Sequence, residues 1–339
     1  MKTTTRYLTK SQHGMSLVEL MVAMVIALFL TAGVFTMFSM SSSNVTTTSQ
    51  FNQLQENGRI ALAIMERDIS QLGFMGDMTG TDFVRGVNTT VDAEISGTDC
   101  VGAGLNNASL PADQPAHFRR LWGYESGVSG SSLTCLASSN VKPGTDVLQI
   151  KRFIGPSVPA GNSSNYFVSA TSSQAIFFNN GAPSTGLTNA RIWQYLHHVY
   201  FIANDSNGIP SLRRKTLNSS GMGNDEQLVE GIENMRFLYG FDNDGDSTPD
   251  RYIPENEVSS LMWDNESFQR LVAIKVYVLV RSIKADPTYK NETTYILGDK
   301  YSGLPTPSGF KFLEVPKDNY RRKVLSTTIV LENPVLIRS

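Results

Sequence analysis

The amino-acid sequence predicts an α+β fold: a long amino-terminal helix, with a membrane half and an amphipathic half, packed on a mainly antiparallel β-sheet domain. Three observations predict it. An uncharged apolar run covers Leu20–Phe38. Apolar residues then recur at helical spacing as far as Leu72, and no proline occurs before Pro111. From Gly73 the composition turns to Gly, Ser, Thr and Asn with scattered β-formers, without regular intervening helices.

The apolar run comes first. Its 19 residues hold two threonines and one glycine and no charge, close to the roughly 20 that span a bilayer's hydrocarbon core. Ahead of it stand one carboxylate, Glu19, and a basic leader with Lys2, Arg6 and Lys10. Ser39-Met40-Ser41-Ser42 after the run fits the small-residue cleavage site of a secretory signal poorly. The other processing site lies in front of the run, at Gly14-Met15. The positive-inside rule keeps the leader cytoplasmic and sends everything after Phe38 across the inner membrane.

Gly14, Met15, Ser16, Leu17, Val18, Glu19 and Leu20 resemble the class III signal of type IV prepilins. The resemblance implies cleavage after Gly14, giving a leader of residues 1–14, and methylation of the new amino-terminus at Met15. It also implies a role for Glu19, fifth from Met15, as ion-pair partner of a neighbouring subunit's amino-terminal amine. A carboxylate among apolar residues needs such a partner, because a bare charge in lipid is costly. The plainer account of Glu19, an interfacial glutamate reaching the headgroups, leaves Gly14-Met15 unexplained.

Beyond a polar patch at Ser39–Ser49, apolar residues recur at Phe51, Leu54, Ala61, Leu62, Met65, Ile69 and Leu72. Gaps of three, four and seven are the amphipathic-helix period. The spacing predicts one helix over 15–72, roughly 85–90 Å long at 1.5 Å per residue, with its membrane-spanning part at about 20–38. Gly58 interrupts the stripe and weakens it by about 1 kcal/mol relative to alanine. The opposite side carries Gln53, Gln55, Glu56, Arg59, Glu66 and Asp68. Gln55-Glu56-Asn57-Gly58-Arg59-Ile60-Ala61-Leu62, Arg67-Asp68-Ile69 and Leu72-Gly73-Phe74-Met75-Gly76 resemble the helix end of PilW-type minor pilins. Members often carry a cysteine where this chain has Asp77, so their disulfide pattern is not carried over. The resemblance is strong over Gly14–Gly76 and only architectural beyond, apart from an acidic loop.

Residues 73–339 read as an exported β-rich domain. Asp77–Ser139 reads as loop-rich. Strands are expected at Val147–Phe153, Gln174–Phe178, Ile192–Ile202, Met235–Phe241, Val272–Arg281 and Val324–Leu331, with a short helix within Ser259–Phe268. In Val272–Arg281, Val272, Ile274, Val276, Val278 and Val280 share one face, with Lys275 and Arg281 on the other. Gly155–Ser173 and Tyr301–Ser308 read as surface loops.

Charge and cysteine usage narrow the function classes. Net charge is −2; the leader takes three cations from 29 and no acids, leaving 26 basic against 31 acidic side chains, or −5. That balance gives no strong nucleic-acid signal. Arg119-Arg120, Arg213-Arg214-Lys215 and Arg321-Arg322-Lys323 read as solvated strand ends. The two cysteines, Cys100 and Cys135, are most simply one disulfide in an exported domain, contributing roughly 3–4 kcal/mol; the alternative is a pair of buried thiols. His117, His197 and His198 have no ligand partner at sensible spacing and read as surface or packing residues. No nucleophile elbow, zinc-protease or phosphate-loop motif occurs, so the expectation is that the chain is not an enzyme and requires no cofactor.

One loop carries metal-type chemistry. Asp242, Asp244, Asp246 and Asp250 stand at steps 1, 3, 5 and 9 with Gly245 between them. They resemble the loops of calcium-binding extracellular repeats, whose carboxylates converge on one hard cation. The EF-hand pattern is not met, because step 12 is Ile253. A polar hairpin turn is the other reading.

What the pilin resemblance implies is a minor subunit of a type IV pilus, held in the inner membrane with its domain in the periplasm until assembly at the cell surface. Implied partners are other minor pilins, the major pilin, the prepilin peptidase, the inner-membrane assembly platform and a tip adhesin. The implied role is in a priming or tip subcomplex serving twitching motility, adhesion or DNA uptake. A type II secretion pseudopilin and a membrane-tethered calcium-dependent binding protein that never polymerises are the alternatives.

Overall fold

The computed structural model describes residues 14–79, 81–113, 117–128, 130, 132–223, 225–264, 268–298, 311–313 and 317–333. Lys2, Arg6, Lys10 and the Tyr301–Ser308 segment lie outside the described residues. The chain divides into two compact units, 1–51 and 52–339. Helix α1 (Leu17–Ser70) begins in the first and ends in the second.

In the first unit the helix is apolar all round as far as Phe38. Every large apolar side chain from Met15 to Val45 is exposed, Leu20 least at 46% and Phe29 most at 76%. Such a surface is stable only against lipid or other protein. The two threonines inside the run suit those surroundings. Thr31 Oγ1 donates to the Ala27 carbonyl at 2.9 Å and Thr36 Oγ1 to the Ala32 carbonyl at 2.7 Å, so neither hydroxyl is left unbonded.

The second unit adds strands β1 (Thr89–Val91), β2 (Leu121–Glu125), β3 (Asp146–Val158), β4 (Phe167–Ala170), β5 (Ala175–Phe178), β6 (Arg191–Asn204), β7 (Pro210–Asn218), β8 (Gly221–Met222) and β9 (Glu226–Glu230). These form one sheet, ordered β1-β5-β4-β6-β3-β2, with β7 pairing β6, β8 and β9. Then come β10 (Ile232–Asp242), β11 (Arg251–Ile253), helix α2 (Ser260–Trp263), β12 (Arg270–Arg281), β13 (Tyr295–Leu297), β14 (Lys311–Leu313) and β15 (Arg322–Val330). A four-stranded sheet runs β11-β10-β12-β15, and β13 pairs with β14. Among the described strands only the β1–β5 pairing is parallel. The α+β layout expected from the sequence is the one observed.

The end of α1 and the two larger sheets share a core. Leu54, Ala61, Leu62, Met65 and Ile69 pack with Leu148, Ile150, Tyr200, Phe237, Ile274 and Val278. The expected stripe is buried except Phe51, which is 38% exposed. Gly58 has a different role from the one expected. A Cβ there would lie 2.7 Å from Leu325 Cδ1 and 2.9 Å from Val280 Cγ2, so the glycine lets the helix approach β12 and β15 closely. Gly73, at φ +84° and facing the Asn333 carbonyl, ends the helical segment in the left-handed conformation.

Asp68 corrects a second expectation. Placed on the polar side by its periodicity, it is buried at 6% exposure. Gly155–Ser173 is a surface loop only in part: residues 159–165 are irregular and mostly exposed, but β3 runs on to Val158 and all four residues of β4 are buried. Within Asp77–Ser139 two strands, β1 and β2, interrupt the loops. Strand β12 has its Val272–Val280 face in the core as expected, but its other face is covered as well. There Tyr277 and Leu279 cluster with Leu238, Tyr295 and Leu297.

Candidate functional site

The first site is the start of α1. Gly14 and Met15 precede the first helical turn and are exposed. Ser16 caps the helix: its Oγ accepts from the Val18 amide at 3.3 Å, and Glu19 Oε2 accepts from the Ser16 amide at 2.9 Å. This reciprocal arrangement is a capping box, and Ser16-x-x-Glu19 is its sequence signature. The sequence reading assigns Glu19 to another subunit and overlooks this local bond. A carboxylate in the first turn also faces the positive end of the helix dipole.

The buried charge on α1 sits at its other end. Asp68 Oδ1 accepts from Arg152 Nη2 at 2.6 Å. Its Oδ2 lies 2.5 Å from His198 Nδ1 and accepts from Tyr200 Oη at 2.5 Å. Arg152 also donates to Gln71 Oε1 at 2.9 Å. Burial raises the Asp68 carboxyl, but the hydrogen bond and charge of His198, with Tyr200 and Arg152, outweigh it and hold the group well below the usual carboxylate range. Strands β3 and β6 thus grip the last turns of α1 through one ionised carboxylate.

The other histidines are packing residues too. His117 Nδ1 lies 2.6 Å from Asp82 Oδ2. Burial raises Asp82, while His117 and Arg120 lower it further, for a net depression. A cavity of about 60 Å³ lies beside this pair, with Leu72, Phe118 and Trp263 among its walls. His197 is fully buried, between Gln149 Nε2 at 2.9 Å and Ser109 Oγ at 3.0 Å; burial pushes its pKa well down.

The three basic clusters are not solvated strand ends. Arg119, 2% exposed, donates to Asp264 Oδ1 at 2.6 Å. Arg213 and Arg214 pair with Asp225 at 2.6 Å and Glu226 at 2.9 Å. Arg322 is buried between Glu233 at 2.5 Å and Asp318 at 2.8 Å. Arg119 and Arg322 spend their charge inside the fold, on partners far along the chain, whereas Arg213 and Arg214 pair at the surface with residues twelve positions on.

In the acidic loop, Asp242, Asp244 and Asp250 each offer one oxygen within 4.8 Å of the others. Asp246 does not join them; its Oδ1 accepts from the Thr248 amide and hydroxyl at 2.7 and 2.6 Å. Asp242 is already engaged. Oδ1 accepts from Gly245 at 2.6 Å and Oδ2 from Ser247 at 3.0 Å and Arg270 Nη2 at 2.8 Å. Burial raises this carboxyl, and those amides and Arg270 lower it to about 2. A cation would bind against the Arg270 charge.

Cys100 and Cys135 form a disulfide. Asp77, at the position of the family cysteine, instead accepts from Arg191 Nε at 2.8 Å and Trp193 Nε1 at 3.2 Å.

Comparison with known families places matches at both ends. The family described as Type IV Pilus-assembly protein W matches residues 199–333, and the prokaryotic N-terminal methylation motif matches 9–35. The first lies over β6–β15, where the sequence reading sees only architecture, and does not include the 55–76 block. Neither the curated proteins nor the solved structures hold a match. With the methylation motif running into an exposed apolar helix and the pilus-assembly family over the carboxy-terminal strands, the two matches are those of a PilW-type minor pilin.

Proposed function

We propose that this pilin belongs to the priming or tip subcomplex of a type IV pilus, where minor pilins start the fibre to which major subunits are added. The observation that carries the reading is the first part of α1, apolar on all sides with one carboxylate in its first turn. Such a surface exchanges lipid contacts for contacts with other helices without new exposure to water. Assembly then proceeds in stated steps. The leader is removed after Gly14 by the prepilin peptidase, and Met15 is methylated. The helix rests in the inner membrane with the second unit in the periplasm, engages the assembly platform, and leaves the bilayer for the fibre. Glu19 exchanges its bond to the Ser16 amide for the amino-terminal ammonium of a neighbouring subunit. The protein's part is structural; twitching motility, adhesion, presentation of a tip adhesin or DNA uptake are properties of the finished fibre.

Crosslinking of intact pili, with identification of neighbours of the second unit, tests this. Minor pilins among the neighbours support it. Partners drawn only from secretion-system pseudopilins, with normal piliation after deletion, would transfer the protein to type II secretion. An uncleaved leader on the mature protein would favour a tether that never polymerises.

We propose calcium as a ligand of the acidic loop on the convergence of Asp242, Asp244 and Asp250. Calcium should raise the melting temperature, and Asp244→Ala should remove that rise. No shift with calcium ends the idea.

A further inference from the structure

Lys151 is a lysine with no exposure at all, in the middle of β3, a strand whose residues are buried from Asp146 to Phe153. It lies on the side of the strand that carries Gln149 and Phe153, where Phe153 clusters with Phe118 and Tyr195, and His197 is directly opposite on β6. Among the described residues its amine has one hydrogen-bond partner, the Asn107 side-chain carbonyl, to which it donates at 3.0 Å. Asn107 is itself 2% exposed, and the Phe118 ring centroid lies 4.7 Å from Nζ. Among the described residues no carboxylate forms an ion pair with this nitrogen; burial is the dominant influence on it, the charge of Asp99 opposes that influence without contact, and Arg119 adds to it. A buried ammonium with one neutral acceptor and an aromatic face is poorly compensated. Burial therefore drives Lys151 toward the neutral amine, which is the nucleophilic form.

From this geometry we propose that Lys151 and Asn107 join covalently, the amine displacing ammonia from the carboxamide to leave an intramolecular isopeptide bond. Nζ lies 3.0 Å from Oδ1 of the carboxamide whose carbon it would attack. The carboxamide is fixed. Its Nδ2 donates to the Ala103 carbonyl at 3.0 Å, and the Asn107 backbone carbonyl accepts from Gly102 at 3.0 Å. The step balances without a co-reactant. Nζ forms a bond to Cγ, the Cγ–Nδ2 bond breaks, one amine proton passes to Nδ2, and ammonia leaves. Nothing is oxidised or reduced. Asp99 is the carboxylate whose charge acts on Lys151, and it stabilises the positive charge that develops on the attacking nitrogen. Its own place is fixed by the Cys100 and Ser109 amides, at 2.6 and 3.0 Å. The bond would tie the irregular 101–113 segment to a central strand, beside the disulfide that anchors the same segment at Cys100. Both residues are buried, which shields the amide from hydrolysis.

Peptide mass spectrometry of the full chain, purified from membranes and reduced before trypsin digestion, tests the proposal. Peptide 86–119, which holds Asn107, should remain joined to the peptide ending at Arg152, with no cleavage after Lys151 and a combined mass lower by about 17 Da, one ammonia. Lys151→Met should release both peptides as linear species. Linear peptides from the unaltered chain, with normal cleavage after Lys151, overturn the proposal. So does the same mass loss confined to a linear 86–119 peptide, which marks a succinimide at Asn107. Because the unaltered chain decides the matter, a misfolded variant does not obscure it. Asp99→Asn, which can still accept the two amides, should leave a fraction of the chain uncrosslinked; complete crosslinking there overturns the part assigned to Asp99.

Discussion

Two stretches of the same helix, 17–45 and 52–70, solve opposite problems with the same backbone. The first exposes large apolar side chains in every direction as far as Phe38 and turns the hydroxyls of Thr31 and Thr36 back onto its own carbonyls. The second buries a stripe from Leu54 to Ile69 and takes a charged group into the interior with it. Lipid rewards apolarity alone, whereas a protein core rewards a particular shape. A close approach at Gly58 and a three-partner contact at Asp68 are therefore worth specifying only in the second stretch.

Substitutions can break that contrast. The largest effect is expected at Asp68. Asp68→Ala leaves Arg152 and His198 buried without their acceptor and should cost about 3–5 kcal/mol, read as a fall in the denaturation midpoint of the detergent-solubilised chain. The pH profile sharpens this. Because the folded carboxyl is depressed, its contribution is complete above the unfolded value near about 4 and is lost as pH falls toward the folded one. Asp68→Asn should therefore flatten the acid limb of stability; an unchanged acid limb would assign acid sensitivity to other carboxylates. Met65→Ala, at a fully buried position, should cost about 2–5 kcal/mol by opening a cavity. Gly58→Val, pressed onto Leu325 and Val280, should cost about 1–3 kcal/mol, and Leu325→Ala in the same chain should recover part of it. Leu30→Ala in the first stretch should move the same midpoint by no more than about 0.5 kcal/mol. A loss there comparable to that of Met65→Ala would mean that the apolar stretch supports the second unit, and the contrast would fail.

Legibility in the sequence divides along the same line. Both halves of α1 are readable because each keeps one period without proline, and β12 because five β-branched residues alternate over Val272–Val280. Where strands are buried on both faces the alternation vanishes, which is why Phe167–Ala170 reads as loop. Short strands such as Thr89–Val91 hold too few residues to show a period. Asp68 is misplaced because a helical period reports which side a residue occupies, and cannot report an arginine and a histidine 84 and 130 residues away. The capping box is legible in Ser16-x-x-Glu19 and is overlooked because the resemblance gives Glu19 another partner. Asn107 and Lys151 are invisible for the plainest reason: 44 residues separate them, and neither belongs to a motif.

Gly58 and Asp68 together have a consequence for how this chain can change length. Each residue added to a helix turns all later residues by about 100° and advances them about 1.5 Å. An insertion or deletion between the two would therefore swing either the glycine away from Leu325 or the aspartate away from Arg152. The segment between these two positions is a ruler that mutation can recolour but not lengthen. In 20–38, with its all-round apolar surface and no such pair, a lost or gained residue carries no comparable penalty to the fold.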